Sequence, residues 1–204
     1  MGCGGIVLAG GRSARMGIDK AALAWHGEPL LVHVVRAVRA GLASPCDDQL
    51  QGPVVVVGAA GQELPPLPEG VEVVRDSVPG GGPLQGLRDG LAALEGRVAL
   101  AFVAATDLPL LRPAVVDAVL RAVTDDVDAA VPSVGGLLHP LAAAYRPSLV
   151  PLADELLGAG ERRVTALVAR CRALPVDEPM LRAVDPELRS LVNVNTRAEL
   201  DALD

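Results

Sequence analysis

The residues best equipped for chemistry lie in one run near the start of the chain. LAGGRSARMGIDK, residues 8–20, places two glycines, Gly10 and Gly11, beside three cations, Arg12, Arg15 and Lys20. Paired glycines let a backbone approach a ligand closely and expose amide donors. Three positive charges within residues 12–20, on a chain whose net charge is −7, are what a triphosphate needs. The run fits neither GxxxxGK[ST] nor GxGxxG, so it is not a Walker loop or a dinucleotide fingerprint. On spacing alone, a solvated Gly/Arg turn is the competing reading. Lys20 is the only lysine, every other basic residue being Arg. Because an ammonium and a guanidinium are not interchangeable, its position favours a functional role.

Two carboxylates come next. Asp107 closes the apolar run RVALAFVAATD, residues 97–107. A carboxylate at such a strand end, facing bound phosphates, suits magnesium. That ion often takes one or two protein carboxylates and completes its shell with water and phosphate oxygens. The alternative is an Asp favoured by a helix N-terminus. Asp76 closes VEVVRD, residues 71–76, before a Gly/Pro loop at 77–83. It could meet a base, a ribose or a metal, or simply start a turn. Asn193 and Asn195, the only asparagines, alternate in VNVN and so share one face of an extended segment. Arg162 and Arg163 in GAGERRV offer a second anion site or a solvated helix start. His139 has no Ser or Cys partner in view, and His26 and His33 read as surface residues.

The elements that must position these residues follow from periodicity. Short apolar strands are expected at 4–10, 53–58, 71–76 and 97–107. Helices are expected at 28–41, stopped by Gly41, after Pro83, and from Pro113 to about 123. Further on, DAAVPS and LLHPLAAAY read as two strands, 147–158 and 162–171 as helices, and 173–177 as a short strand. Thr196 is expected to cap a last helix. Residues 61–70 read as a Pro-rich surface loop. Strand and helix alternate over the first 125 residues, which implies βαβ units and a mostly parallel, twisted α/β sheet flanked by helices. Ligands on such sheets bind at the carboxyl ends of the strands, where loop 10–20, Asp76 and Asp107 all fall.

Composition agrees. At 204 residues, half of them hydrophobic, the chain is long enough for one domain with a substantial core. With one Trp, one Tyr and one Phe, that core must be Val, Leu and Ala, as in a sheet covered on both faces. The acidic balance, without a basic stripe or aromatic platform, argues against a nucleic-acid partner. Cys3, Cys46 and Cys171 lack CxxC spacing and are expected to be reduced thiols of a cytoplasmic protein. No signal peptide is seen, and no apolar run reaches the ~20 residues of a membrane span.

LAGGRSARMGIDK resembles the signature of nucleotidyltransferases that attach a nucleotide to a sugar phosphate or pterin phosphate. RDSVPGGGPLQGL, ATDLP, HPLAAAY, GAGERRV and VNVNT follow in order and extend the resemblance from end to end. GAGERRV followed by VNVNT narrows it to the molybdenum cofactor guanylyltransferases. The resemblance implies a Rossmann-like three-layer sandwich of the nucleotide-diphospho-sugar transferase type. It also implies one domain over residues 1–204, with about 1–125 holding the nucleotide and about 126–204 the acceptor. Leu8, Ala9 and Gly10 would lie against the guanosine. Gly11 also argues for guanine, since related cytidylyltransferases tend to carry LAAG. Arg15 and Lys20 would hold the triphosphate, Asp76 would help bind the nucleotide, and Asp107 would coordinate Mg2+. Asn193, Asn195 and the Arg162 region would lie near the pterin. Where some members carry an Asn-containing segment that contacts the nucleotide, this chain reads VVVVGAAGQ, with Gly58 near that position.

The implied reaction is attack of the terminal phosphate of molybdopterin on the α-phosphate of GTP, with pyrophosphate leaving. Such transfer is largely positioning and charge compensation. The nucleophile is already ionised, which agrees with the lack of a paired-carboxylate or His-centred site. Alternatives are a cytidylyl- or guanylyltransferase acting on another phosphorylated metabolite, or a nucleotide-binding relative without catalysis. A nicotinamide-binding oxidoreductase fits the alternation but lacks the glycine fingerprint. A monomer is expected, with transient handover to molybdenum-cofactor insertion proteins.

Overall fold

The computed structural model describes residues 2–10, 20–43 and 52–203. Strand β1 (Cys3–Leu8) is followed, after a single 3-10 turn at Lys20–Ala22, by a small antiparallel hairpin of β2 (Ala24–Trp25) and β3 (Glu28–Pro29). Helix α1 (Leu30–Leu42), β4 (Val54–Gly58), β5 (Val71–Arg75), α2 (Gly82–Leu94), β6 (Leu100–Ala105) and α3 (Pro113–Arg121) complete the first half. The second half holds β7 (Ala129–Val134), β8 (Leu137–Leu138), β9 (Ala142–Tyr145), α4 (Val150–Gly158), α5 (Val164–Arg170), β10 (Ala173–Val176), α6 (Glu178–Val184) and α7 (Arg197–Asp201).

One sheet runs through both halves, in the order β10-β7-β9-β6-β1-β4-β5, with β8 paired to β7. β5, β4, β1 and β6 are mutually parallel, and β10 is parallel to β7. β9 alone in that order runs against its neighbours β6 and β7. The strands are apolar on both faces because both faces are covered. In β4, Val54 and Val56 join the cluster that contains Val34, Val38 and Val116 of α1 and α3, while Val55 and Val57 join that of Leu87 and Leu91 on α2. Phe102 and Tyr145 are fully buried, each contributing about 1.5–3 kcal/mol of apolar burial. The Tyr145 hydroxyl still finds an acceptor, the Pro140 carbonyl at 2.8 Å. Glycines set the closest helix contacts. A Cβ on Gly41 would lie 2.4 Å from Val116 Cβ, and one on Gly90 would lie 2.6 Å from Ile6 Cγ2.

The three-layer α/β fold expected from the sequence is therefore present, with some differences. LLHPLAAAY is not one strand. Pro140 has no N–H to give a ladder, and the His139 amide turns back to the Pro132 carbonyl at 2.9 Å, which separates β8 from β9. Helix α6 was not expected, although Asp177 caps it by accepting from the Met180 amide, with a Pro in its first turn. His33 is half-buried rather than a surface residue, with Nε2 2.8 Å from the Trp25 carbonyl. The expectation of three reduced thiols is corrected at Cys3, which is disulfide-bonded, while Cys171 is free and Cys46 lies outside the described residues. Cys3 opens β1 at the edge of a buried strand, a place a sequence pattern without CxxC spacing does not flag. Among the described residues, no helix is long and apolar enough to cross a membrane.

Candidate active site

The site is built on the carboxyl ends of β1, β4, β5 and β6. The exit of β1 leans toward β4, because the amides of Ala9 and Gly10 both donate to the Val57 carbonyl, at 2.8 and 3.2 Å. On the other side, Thr106 donates its amide (3.2 Å) and its hydroxyl (2.9 Å) to the Leu8 carbonyl. These bonds hold the start of the glycine loop in place. Gly10 is closely packed, since a Cβ would meet the Ala59 amide nitrogen and Asp76 Oδ2, each at 3.1 Å.

Asp76 therefore lies against Gly10, although β4 stands between β5 and β1 in the sheet. Its carboxyl pKa is raised from the ordinary value, first because it is partly buried and second because Asp89 is near. Asp89 is itself buried and well satisfied. It accepts from the Ser77 amide (2.8 Å), the Ser77 hydroxyl (3.0 Å) and Gln85 Nε2 (3.1 Å). Arg88 pairs with Asp89 at 3.3 Å and reaches Asp154 on α4 at 2.7 Å. The loop between β5 and α2 is thereby tied to the helix that starts beneath it.

Asp107 sits just beyond β6, half-buried. Burial raises its pKa, and the ammonium of Lys20 and its own backbone amide act in the opposite direction. Lys20 Nζ donates to Asn195 Oδ1 at 3.0 Å and to the Val194 carbonyl at 3.2 Å. The Val194 amide in turn donates to the Asp107 carbonyl at 2.9 Å. Residues from the beginning, middle and end of the sequence thus meet at one point. The tail reaches it because Val194 is buried with Leu23, Leu30 and Leu200, while Asn193 and Asn195 are exposed. A second anchor is polar. Buried Asp185 accepts from the Ser190 amide at 2.7 Å, and the Ser190 hydroxyl accepts from the Arg112 amide at 3.0 Å.

Asn195 thus faces Lys20. The Arg162 segment lies elsewhere, at the start of α2. The Arg162 carbonyl accepts from the Leu84 amide at 3.1 Å, and a Cβ on Gly82 would stand 3.0 Å from Arg162 Cβ. Glu161 accepts from the amides of Arg162 and Arg163 at 2.8 and 2.9 Å and pairs with the Arg163 side chain at 2.7 Å. These contacts lower its pKa to about 2, the Arg163 guanidinium being the largest cause. Arg163 is therefore already neutralised locally, while the Arg162 guanidinium donates to the carbonyls of Leu157 and Glu161. His139 is half-buried, and burial lowers its pKa.

Of the expected residues, the structure brings together Leu8, Ala9, Gly10 and Asp76 on one side, and Lys20, Asp107 and Asn195 on the other. Gly11, Arg12 and Arg15 lie outside the described residues. Sequence reasoning missed Thr106, Gln62, Ser190 and Asp185. Thr106 adjoins Asp107 and could have been suspected. The other three sit in segments without periodicity, where only the folded contacts reveal them.

An open α/β sheet with a glycine exit, a lysine and a strand-end carboxylate at its carboxyl edge defines a nucleotidyltransferase-type site. Comparison with known proteins makes this specific. Residues 5–178 match the family described as the MobA-like NTP transferase domain, and the chain belongs to that family of enzymes. It is 44% identical over 202 residues to a Mycobacterium tuberculosis protein named probable molybdenum cofactor guanylyltransferase, covering 97% of this chain and 91% of that one. Its fold is similar to that of molybdopterin-guanine dinucleotide biosynthesis protein A from Archaeoglobus fulgidus, with a TM-score of 0.73 at 24% identity, over 98% of this chain and 95% of that one. The fold is also similar to that of 2-C-methyl-D-erythritol 4-phosphate cytidylyltransferase from Thermus thermophilus, with a TM-score of 0.69 at 18% identity, over 99% and 97% of the two chains.

Proposed function

We propose that the chain transfers GMP from GTP to the terminal phosphate of molybdopterin, forming molybdopterin guanine dinucleotide and releasing pyrophosphate. The observation that carries this reading is the meeting of Lys20 and Asp107 beside the Asn195 tail, in a chain whose M. tuberculosis relative bears the guanylyltransferase name.

The guanosine would lie against Leu8, Ala9 and Gly10, with Gly11 and Asp76 at its margin. Lys20 would exchange its bonds to Asn195 and Val194 for triphosphate oxygens, with Arg15 as a second cation. A phosphate oxygen of the acceptor forms the new bond to the α-phosphorus. The α–β bridging bond breaks, and its electron pair leaves with pyrophosphate. The chain's work is to hold the two anions in line and to offset the charge that develops, so no strong base is required. Asn193 and Asn195, beside Lys20, and the Arg162 segment, at the start of α2, would approach the acceptor from separate places.

The residues fit a divalent ion of the magnesium type. Asp107 is a desolvated carboxylate at the phosphate end of the site. Among the described residues no group of three or more His, Cys, Asp or Glu could form a dedicated cage, so phosphate oxygens and water would complete the shell. When bound there, the ion would reduce repulsion between the triphosphate and the incoming phosphate. We further read the chain as one cytoplasmic domain and a monomer. Residues 1–125 would serve the nucleotide and 126–204 the acceptor, with product handed on to cofactor-insertion proteins.

The test is magnesium-dependent binding of GTP against CTP and ATP, followed by pyrophosphate release on adding molybdopterin. GTP-selective binding with release is expected. Selective CTP binding would move the chain to cytidylyl transfer, and GTP binding without release would remove molybdopterin as acceptor.

A further inference from the structure

Gln62 lies in the segment between β4 and β5 that reads, in the sequence, as a surface loop. Its side chain is half-buried and points back to the exit of β1. Gln62 Nε2 donates to the Ala9 carbonyl at 3.0 Å, and Gln62 Oε1 accepts from the Ala59 amide at 2.9 Å. A single primary amide therefore spans the gap between β1's exit and the turn after β4, with its donor on one and its acceptor on the other.

Two neighbours keep it there. The Gln62 amide nitrogen donates to the Ala59 carbonyl at 3.1 Å, closing the turn. Arg75 donates from one guanidinium nitrogen to the carbonyls of Gln62 (2.9 Å) and Ala59 (3.3 Å). Gly58 makes the room: a Cβ there would stand 2.9 Å from that Arg75 nitrogen and 3.3 Å from Gln62 Oε1. The same turn carries the Ala59 nitrogen that abuts Gly10. The Gly10 backbone is thus confined between Ala59 and Asp76, and Ala59 is held by Gln62.

We infer that Gln62 is a positioning residue for nucleotide binding: it fixes the Ala9–Gly10 backbone against which the base lies. This rests on reading the site as a nucleotide pocket. The role needs both a donor and an acceptor. Leucine supplies neither, and an ionised glutamate keeps the acceptor but sets a negative charge against the Ala9 carbonyl. A protonated glutamate again offers one donor and one acceptor.

The experiment compares Gln62→Leu, Gln62→Glu and Gly58→Ala with the parent chain in nucleoside triphosphate binding and steady-state transfer, with thermal melting recorded for each. The loss of a paired, half-buried carbonyl predicts roughly ten-fold weaker binding and a correspondingly higher KM for Gln62→Leu, with kcat little changed. Gly58→Ala should show the same split. Gln62→Glu should be impaired near neutral pH and should regain affinity relative to the parent at acid pH, where its carboxyl protonates; the Ala9 carbonyl, partial burial and Asp76 across Gly10 favour that proton, and the Arg75 guanidinium opposes it. A purely structural role would give losses that track melting temperature and show no such recovery. Parent-like binding by both Gln62 variants, or losses without a pH-dependent return, would overturn the inference. If the parent binds no nucleoside triphosphate, the nucleotide reading itself falls, and this inference with it.

Discussion

Lys20 and Asn195, 175 residues apart, are joined by a 3.0 Å hydrogen bond from the lysine ammonium to the side-chain carbonyl. The bond holds the chain's only lysine beside the strand-end carboxylate of Asp107. Removing the ammonium, as in Lys20→Ala, should lower transfer by about 10²–10³-fold without unfolding the chain, a typical cost for losing such a charge. Asn195→Asp should be worse for triphosphate binding than Asn195→Ala, because it would replace a neutral acceptor with a charge that competes for the same ammonium. Measured KM values for the triphosphate check this. Equal values for the two variants would contradict it.

Asp107 gives a pH prediction with a defined sign. Burial raises its pKa, so the folded chain holds that proton more tightly than the unfolded chain. Folding therefore carries a cost for the ionised group that is absent below the unfolded carboxyl range and grows as the pH rises through the folded pKa. Asp107→Asn should melt at a higher temperature than the parent at about pH 7, and the gap should close toward about pH 4. The same variant should lose most transfer activity.

The acid limb of the activity profile tests the same group from the other side. Because Lys20 counteracts the burial of Asp107, residual activity in Lys20→Ala should begin to fall at a higher pH than in the parent. A limb at the same or lower pH would separate Asp107 from the titration.

Gly41→Ala probes the packing that supports the site's α1 face. The added methyl would meet Val116 Cβ at 2.4 Å and the Pro113 carbonyl at 2.7 Å. Both belong to α3, and overpacking of this kind costs about 1–3 kcal/mol, which exceeds the helix-propensity gain of about 1 kcal/mol. Chemical denaturation should show a lower midpoint, with KM for the triphosphate nearly unchanged.

Ser190→Ala tests the tail's polar anchor. It leaves the Arg112 amide without its acceptor at 3.0 Å, and an unsatisfied, partly buried donor costs about 1–3 kcal/mol. Because the tail carries Asn195, transfer should fall along with stability. A variant that melted earlier but transferred normally would show that the anchor does not govern the site.

The framework was legible in the sequence because it rests on two periodicities. Four apolar runs ending in glycine or an acid announced the parallel strands, and loop 8–20, Asp76 and Asp107 marked their carboxyl ends. The connections between side chains were not legible. Nothing in VNVN says that the intervening Val194 is the buried member, or that Asn195 turns to Lys20. Nothing in the Pro-rich stretch singles out Gln62, whose bonds go to residues that are neighbours only after β1 and β4 pair. Pro140 was visible, but its effect in splitting one expected strand into β8 and β9 depended on where the His139 amide found an acceptor.

The reversed direction of β9 has a consequence for how the sequence can change. β1, β4, β5 and β6 deliver the residues that follow them to the site, whereas β9 delivers the residues that precede it, since the Leu141 carbonyl accepts from the Ala105 amide at 3.0 Å beside Asp107. The stretch around His139 is thus held to a fixed length by the site. The stretch after Tyr145 leaves from the far edge of the sheet, where insertions would lengthen the molecule without reaching the ligand.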